Sequence, residues 1–96
     1  MNHTVQQHEA GSKGAFFIAD AAGEHIATMS FSRANDTLVI IDHTDVHPSL
    51  AGQGVGRLLL NALVEWARST GTKVMPLCPF ASAQFKKDAS IQDVLM

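Results

Sequence analysis

One stretch in the middle of the chain constrains the fold more than any other. An apolar run ends at Ile41, polar residues follow, and Pro48 marks a short turn. Gly52, Gly54 and Gly56 then stand at alternate positions before an amphipathic run. This order is typical of a strand, a loop and a helix N-terminus in series. Because the first amides of a helix have no carbonyl partner within it, such a loop can hold a phosphate or pyrophosphate.

The segment after the loop has helical periodicity. From Gly52 to Thr70, apolar residues recur at steps of three and four, which predicts one long helix that ends at Gly71. The predicted apolar stripe consists of Val55, Leu58, Leu59, Ala62, Leu63, Trp66 and Ala67. A further strand is predicted over Lys73 to Cys78. Strand, helix and strand at this spacing indicate a βαβ unit, whose two strands are parallel and joined by a right-handed crossover.

The remaining segments predict strands before this unit and a short helix after it. Met1 to Ser12 is polar and indicates a frayed lead-in with a short edge strand around Val5. The predicted strands are Gly14 to Ala19, His25 to Arg33 and Thr37 to Val46, the last one central in the sheet. The predicted C-terminal elements are a helix from Pro79 to about Asp88 and a turn or helix from Ala89 to Val94. We therefore expect one α/β (α+β) domain over residues 1–96, with a mostly antiparallel sheet, one βαβ unit and a short C-terminal helix.

Composition excludes several functional classes. Hydrophobic content of 46% and charged content of 17% indicate a globular chain, and a net charge of −2 disfavours nucleic-acid binding. Cys78 is the only cysteine, so the chain cannot form an internal disulfide. No apolar run approaches the ~18 residues that span a membrane, and the polar N-terminus lacks a signal peptide's apolar core. We expect a soluble cytoplasmic protein, either a monomer or a homodimer.

The order of these motifs resembles that of the GNAT-type N-acetyltransferases. Gly54 and Gly56 match the glycine positions of the family signature Arg/Gln-x-x-Gly-x-Gly/Ala, whereas Ala51 departs from its first position. The resemblance implies an acetyl-CoA site in which backbone amides from Gln53 to Arg57 grip the pyrophosphate. A bulky side chain at Gly54 or Gly56 is expected to occupy the place of the phosphate. The implied cofactor-binding residues are Thr44, Val46, Gly52, Gln53, Gly54, Val55, Gly56 and Arg57.

A closer resemblance connects separated motifs across residues 14–95. Ile41-Asp42-His43-Thr44, the glycine loop, Cys78-x-Phe80 and a terminal Asp93-Val94 resemble the very small GNAT-like proteins of the YjdJ type. This resemblance implies a minimal GNAT-like fold in which the two strands of the βαβ unit splay apart around the thioester arm of acetyl-CoA.

Two residues next to that implied arm are candidates for the reaction. His43 lies on the strand before the loop, and histidine exchanges protons near neutral pH, which suits a base for an amine acceptor. The alternative is that His43 has a structural role and takes no part in the reaction. Cys78 lies at the end of the following strand, where it and His43 can face one acetyl group and the thiol can accept it. The alternative is a buried, inert cysteine.

A different pattern, His43-x-Asp45-x-His47, places three metal-binding residue types on one face of a strand. No fourth ligand is evident, and Pro48 indicates that the strand ends before His47. We therefore expect no metal site.

Three functional classes follow from the sequence. The leading one is an acetyl-CoA-dependent N-acetyltransferase whose amine acceptor is a small molecule or a protein, with possible involvement of Cys78. The second is a non-catalytic module that binds CoA or acetyl-CoA. The third is a structural or interaction domain in which side chains fill the space between the strands.

Overall fold

The computed structural model of the chain describes residues 4–96. Its strands are β1 (Gln6–Ala10), β2 (Lys13–Ala19), β3 (His25–Asn35), β4 (Leu38–Val46) and β5 (Lys73–Pro76). Its helices are α1 (Val55–Thr70) and α2 (Pro79–Lys87), with short 3₁₀ helices at Pro48–Leu50 and Ala89–Val94. The strands lie in the order β1-β2-β3-β4-β5, and only the β4–β5 pair is parallel. The expected α+β fold with a mostly antiparallel sheet and one βαβ unit is confirmed.

The N-terminal segment is more ordered than the sequence indicated. The expected edge strand is present, but it covers Gln6–Ala10 rather than the residues around Val5, with Gln6 paired to Phe17 and Ala10 to Lys13. The Arg33 guanidinium on β3 donates to both carboxylate oxygens of Glu9, at 2.6 and 3.2 Å. This ion pair spans β2 and ties the edge strand to the sheet. The first three residues of the predicted lead-in lie outside the described residues.

One face of the sheet carries the core. Buried side chains alternate along the strands with half-exposed ones, because the helices cover a single face. The buried strand residues are Phe16, Ile18, Ala27, Met29, Phe31, Val39 and Ile41. The sequence predicted that the start of β4 is apolar on both faces of a central strand. β4 does pair on both sides there, but Leu38 and Ile40 are only half-buried.

Helix α1 crosses this buried face. Gly54 precedes it at φ 70°, and Gly71 ends it at φ 68° with its N–H donating to Ala67 O. The buried residues are Val55, Gly56, Leu59, Leu60, Leu63, Val64 and Ala67. The predicted stripe was thus partly wrong, since Leu58 is 38% exposed and Leu60 and Val64 are buried. The buried arc is wider because α1 packs against the Ala89–Val94 helix as well as the sheet. No helix within residues 4–96 is long and apolar enough to cross a membrane.

Strand β5 leaves the sheet earlier than predicted. Its parallel pairing with β4 runs from Leu38–Lys73 to Ile41–Pro76 and then stops. The amides of Leu77 and Cys78 both donate to Ile41 O, at 3.1 and 3.2 Å, and Pro79 begins α2. Cys78 is therefore the N-cap of α2 rather than the last residue of a strand. We call the divergence of β4 and β5 beyond this point the fork.

Helices α1 and α2 are held together beside the fork. The Arg57 guanidinium donates to Asn61 Oδ1 and Gln84 Oε1, both at 2.9 Å, and forms an ion pair with Asp88. Gly56 faces the Phe80 ring so closely that a Cβ at Gly56 would lie 2.9 Å from the ring's Cζ atom. A glycine is required at position 56 because the second helix approaches the first there.

The Gly56–Phe80 contact predicts the effect of adding one methyl group. Gly56→Ala should lower the free energy of unfolding by about 1 kcal/mol, because the half-exposed Phe80 ring must move away from α1, toward the cleft. Denaturant unfolding at equilibrium measures this change. Phe80→Leu removes the ring atoms that would clash, so Gly56→Ala should be much less harmful in the Phe80→Leu background. Equal losses in both backgrounds would show that the ring is not the obstacle.

The Arg57–Asp88 pair predicts a specific dependence of stability on pH. Hydrogen bonds from Arg57 and then from Ser90 lower the pKa of the Asp88 carboxyl from 3.8 to about 2. A group with a lowered folded-state pKa stabilises the fold above its unfolded pKa, and the stabilisation is lost as pH falls toward the folded value. Wild type should therefore be more stable than Asp88→Asn at pH 6, and the gap should shrink between about pH 4 and 2.

Thermal or urea unfolding of both proteins across this pH range tests the prediction. The stability of Asp88→Asn is subtracted from that of wild type because two other carboxyls respond to pH in the same way: Arg33 lowers the pKa of Glu9, and Arg68 lowers the pKa of Asp93. A gap that stays constant from pH 6 to 2 would show that ionisation of Asp88 contributes nothing.

Candidate functional site

A cleft of about 530 Å³ lies beside the fork. Its walls come from the end of β4, the loop before α1, the start of α1 and one side of α2. The lining residues are Thr44, Val46, Leu50, Ala51, Gly52, Gly54, Val55, Gly56, Arg57, Phe80, Gln84 and Lys87. The structure therefore brings together every residue predicted to bind the cofactor except Gln53, which is not part of the wall.

The glycine loop presents backbone amides to this cleft. The first hydrogen bond of α1 runs from Leu58 N to Gly54 O at 3.2 Å, so the amides of residues 55–57 have no carbonyl one turn earlier. Gly54 has a left-handed backbone, and a Cβ built on it would meet no atom within 4 Å. The amide of Gln53, in contrast, donates to Leu50 O at 3.3 Å. The loop thus offers unpartnered backbone N–H donors, open space where Gly54 has no side chain, and the positive end of the α1 dipole.

The reason for glycine differs between the two signature positions. A side chain at Gly54 would enter the cleft, as expected from the sequence. The first atoms of a side chain at Gly56 would meet the Phe80 ring, and the expectation that a bulky side chain there occupies the place of a phosphate stays a prediction.

A β-bulge divides the side chains of β4 between two faces of the sheet. On β3, Ser30 pairs with His43 and the next residue, Phe31, pairs with Ile41, so Asp42 is the extra residue. Beyond the bulge, Thr44 shares the helix-covered face with Met29, its partner on β3, whereas His43 lies opposite Ser30 on the uncovered face. Two consecutive side chains therefore point to opposite sides of β4.

The backbone of β4 is free along the fork. The amide of His47 donates to Ile26 O on β3 at 2.8 Å. Since N–H and C=O groups alternate in direction along a strand, those of Thr44 and Val46 point away from β3, toward the fork. β5 has left the sheet at this level, so within residues 4–96 no strand pairs with this edge. An extended ligand can therefore form hydrogen bonds with this edge in the way that a neighbouring strand would.

Cys78 lies next to this edge, where it contacts Thr44. Its Sγ atom is 3.1 Å from Thr44 Oγ1 and accepts a hydrogen bond from Ala81 N at 3.3 Å. The cysteine is 5% exposed. Cys78 thus contacts Thr44 on the cleft side, whereas His43 lines a different cavity, and the expectation that both face one acetyl group in the fork stays a prediction.

His43 lines a second cavity, of about 500 Å³, at the side of the fork away from the cleft. Lys13, Gly14, Ser30, Phe31, Asp42 and Leu77 complete its wall. A hydrogen-bond chain crosses the strands here, from Lys13 Nζ to Ser32 Oγ at 2.6 Å and from Ser32 Oγ to Asp42 Oδ2 at 2.5 Å. His43 is exposed, so its imidazole is accessible from this cavity.

The three residues of the His-x-Asp-x-His pattern do not form one cluster. Asp45 and His47 line a third, smaller cavity with His25, while His43 lines the second. His47 Nδ1 lies 2.8 Å from Ser49 Oγ and accepts a hydrogen bond from Ser49 N. Among residues 4–96, no group of three or more His, Cys, Asp or Glu residues is arranged to hold a metal ion.

The structure adds wall residues that were not among the predicted cofactor-binding residues, although the sequence already offered Lys87 as a residue that either approaches the phosphates or is simply solvated. Phe80, Gln84 and Lys87 recur at steps of four and three, so they form one face of α2. The sequence shows that these residues share one face of a helix, but it does not show that this face lies toward the glycine loop. Arg57 was predicted to bind the cofactor through its main chain, and its side chain is bonded to Gln84 and Asp88. Its backbone amide remains at the loop.

Comparison with known proteins agrees with this architecture. A profile described as GCN5-related N-acetyl-transferase matches residues 15–94. A GCN5-like protein from Staphylococcus aureus is 35% identical, with a TM-score of 0.74 over 95% of this chain and 87% of that one. No curated protein matches the chain.

Two more distant structures share the fold. A GNAT family acetyltransferase from Elizabethkingia anophelis, solved with acetyl-CoA bound, is 17% identical with a TM-score of 0.64 over 78% of this chain and 64% of that one. A GNAT family N-acetyltransferase from Escherichia coli, solved with CoA, is 22% identical with a TM-score of 0.62 over 75% and 44%. This chain covers less than two thirds of the length of either of these two proteins.

The profile covers most of the chain, and the Staphylococcus aureus protein matches nearly all of it. Sheet order, the fork and the glycine loop at the start of α1 fit the same assignment. The chain belongs to the GCN5-related N-acetyltransferase family.

Proposed function

We propose that this protein binds acetyl-CoA in the cleft and transfers the acetyl group to an amine. One observation carries the proposal: a single cleft joins the unpartnered amides of the glycine loop to the free edge of β4. CoA combines a pyrophosphate with an extended, amide-containing arm, so it needs both features at once. Solved relatives with acetyl-CoA or CoA support the same ligand.

The chain's own groups divide this task. The amides of residues 55–57 and the α1 dipole suit the pyrophosphate. The backbone groups of Thr44 and Val46 suit the amides of the extended arm, and Phe80 provides an apolar wall. When bound, acetyl-CoA supplies an acetyl thioester, whose carbonyl accepts a nucleophile and whose sulfur departs as a thiol.

We place the acceptor on the opposite side of the fork, in the cavity lined by His43. The neutral amine nitrogen forms the new C–N bond as the C–S bond breaks, the imidazole takes the proton that the nitrogen releases, and that proton is then returned to the departing CoA sulfur. Lys13 Nζ lies 4.0 Å from Asp42 Oδ2 in the same cavity, so the two charges offset each other and the wall does not select a cationic acceptor. The acceptor amine belongs to a small molecule or to a protein.

Cys78 offers a second route, supported by its contact with Thr44 on the cleft wall. In that route the thiol sulfur attacks the thioester carbon, a new C–S bond forms, and the thiol proton leaves with CoA. The acetyl group then passes from sulfur to the amine. Because Cys78 contacts Thr44 on the cleft side whereas His43 lines a different cavity, we assign His43 to the amine step alone.

The remaining assignments are also proposals. We place the chain with the very small YjdJ-type members, which the near-complete match to the Staphylococcus aureus protein supports. We propose that residues 1–96 act as one acetyl-CoA-binding domain in the cytoplasm. A CoA-binding module without catalysis remains the competing function, and transfer assays distinguish it.

Ala51 allows a test of the cleft that does not disturb the left-handed glycines. It lines the cleft at φ −58°, which any side chain adopts. Ala51→Arg should tighten acetyl-CoA binding several-fold and Ala51→Glu should weaken it several-fold, because one added charge attracts the phosphates and the other repels them. Isothermal titration calorimetry measures both changes.

Ala22, in the exposed turn between β2 and β3, provides the matched control. Ala22→Glu changes the net charge by the same amount and should leave the affinity unchanged. If Ala51→Arg and Ala51→Glu bind acetyl-CoA equally well, the phosphates do not lie in this cleft. If wild type does not bind at all, the proposed function fails.

The two routes predict different transfer results. In direct transfer, His43→Ala should lower amine acetylation by about 100-fold or more at neutral pH, and Cys78→Ala should keep it. In the cysteine route, Cys78→Ala should abolish it, and wild type incubated with acetyl-CoA alone should carry one acetyl group on the Cys78 peptide. CoA release with a panel of amines and peptide mass spectrometry provide the measurements. Wild-type rates in both variants would overturn both residue assignments, whereas the absence of transfer by wild type, with binding retained, would leave only the binding-module function.

A further inference from the structure

We propose that Lys87 binds the ribose 3′-phosphate of CoA, which makes it a specificity-determining residue that distinguishes CoA from dephospho-CoA. This inference rests on the proposed function, because it requires CoA to occupy the cleft.

The charge of the cleft wall points to an anionic ligand. The chain as a whole has more acidic residues, nine, than Lys and Arg residues, seven. The wall nevertheless includes no Asp or Glu, and its charged residues are Arg57 and Lys87. Arg57 is neutralised by its ion pair with Asp88. Within residues 4–96, Lys87 has no ion pair or hydrogen bond from its ammonium group, so its charge is available.

The position of Lys87 along α2 determines which phosphate it can reach. The thioester end of the ligand belongs at the fork, where α2 begins, and the pyrophosphate belongs at the glycine loop, which Phe80 adjoins. Lys87 lies seven residues after Phe80 on the same face, about 10 Å farther along the helix axis. The third charged group of CoA is the 3′-phosphate at its nucleotide end. Lys87 is the cation on that part of the wall.

The neighbouring lysine provides a matched control. Lys86 precedes Lys87 on the same helix but does not line the cleft, because consecutive helical residues are rotated by about 100°. Both lysines are exposed, so replacing either should leave the fold intact. Lys86→Gln and Lys87→Gln also change the net charge equally.

Calorimetric titration with CoA and with dephospho-CoA tests the inference. These ligands differ only in the 3′-phosphate. Wild type and Lys86→Gln should bind CoA about fivefold more tightly than dephospho-CoA, as expected for an exposed ion pair. Lys87→Gln should weaken CoA binding by the same factor and leave dephospho-CoA binding unchanged. Lys87→Glu should reverse the preference, and added salt should reduce the differences.

The contrary results are distinct. Equal affinity of wild type for the two ligands would overturn the assignment while leaving the proposed function standing. So would a loss in Lys87→Gln that affects both ligands equally, since it would place Lys87 at the pyrophosphate. Absence of binding to either ligand by folded wild type would overturn the proposed function itself, and this inference with it.

Discussion

The departure of β5 from β4 is the constraint on which the site depends. A single carbonyl, that of Ile41, accepts the amides of both Leu77 and Cys78, and this ends the parallel ladder. Pro79 then supplies a fixed φ and no N–H, which suits the first position of a helix. Because the chain turns into α2 at that point, the last residues of β4 keep an unpaired edge. The cleft, the fork and the place of Cys78 all result from this turn.

The bulge in β4 adds a second constraint, which concerns direction. Because Asp42 is one extra residue in the strand, every later side chain lies on the face opposite to the one it would occupy in a regular strand. Thr44 therefore contributes to the CoA cleft while His43 belongs to the cavity on the uncovered face. A group held in the fork is accessible from both sides. The two reactants of a transfer reaction can thus enter by separate routes without competing for space.

Much of this fold could be predicted from the sequence because it depends on local patterns. The alternation of polar and apolar residues predicted the strands. Helical periodicity and Gly71 predicted α1 and its end, and the spacing of the glycines predicted the loop. The wrong expectations concerned features that depend on distant neighbours. Nothing local reveals the bulge at Asp42, nor the Ala89–Val94 helix against which α1 packs. The ring beside Gly56 and the partners of Arg57 come from α2, more than twenty residues away.

Trp66 is the only tryptophan, and its surroundings give the protein a built-in optical probe. The indole lies against Phe16 and Phe31, with ring centroids 5.8 and 5.5 Å away, and the Arg33 guanidinium covers it. It is twelve residues after Gly54, about 18 Å along the axis of α1 from the glycine loop. Its fluorescence therefore follows the joining of sheet and helix, and it is remote from events in the cleft. Emission from Trp66 can report the integrity of a variant independently of whether that variant still holds its ligand.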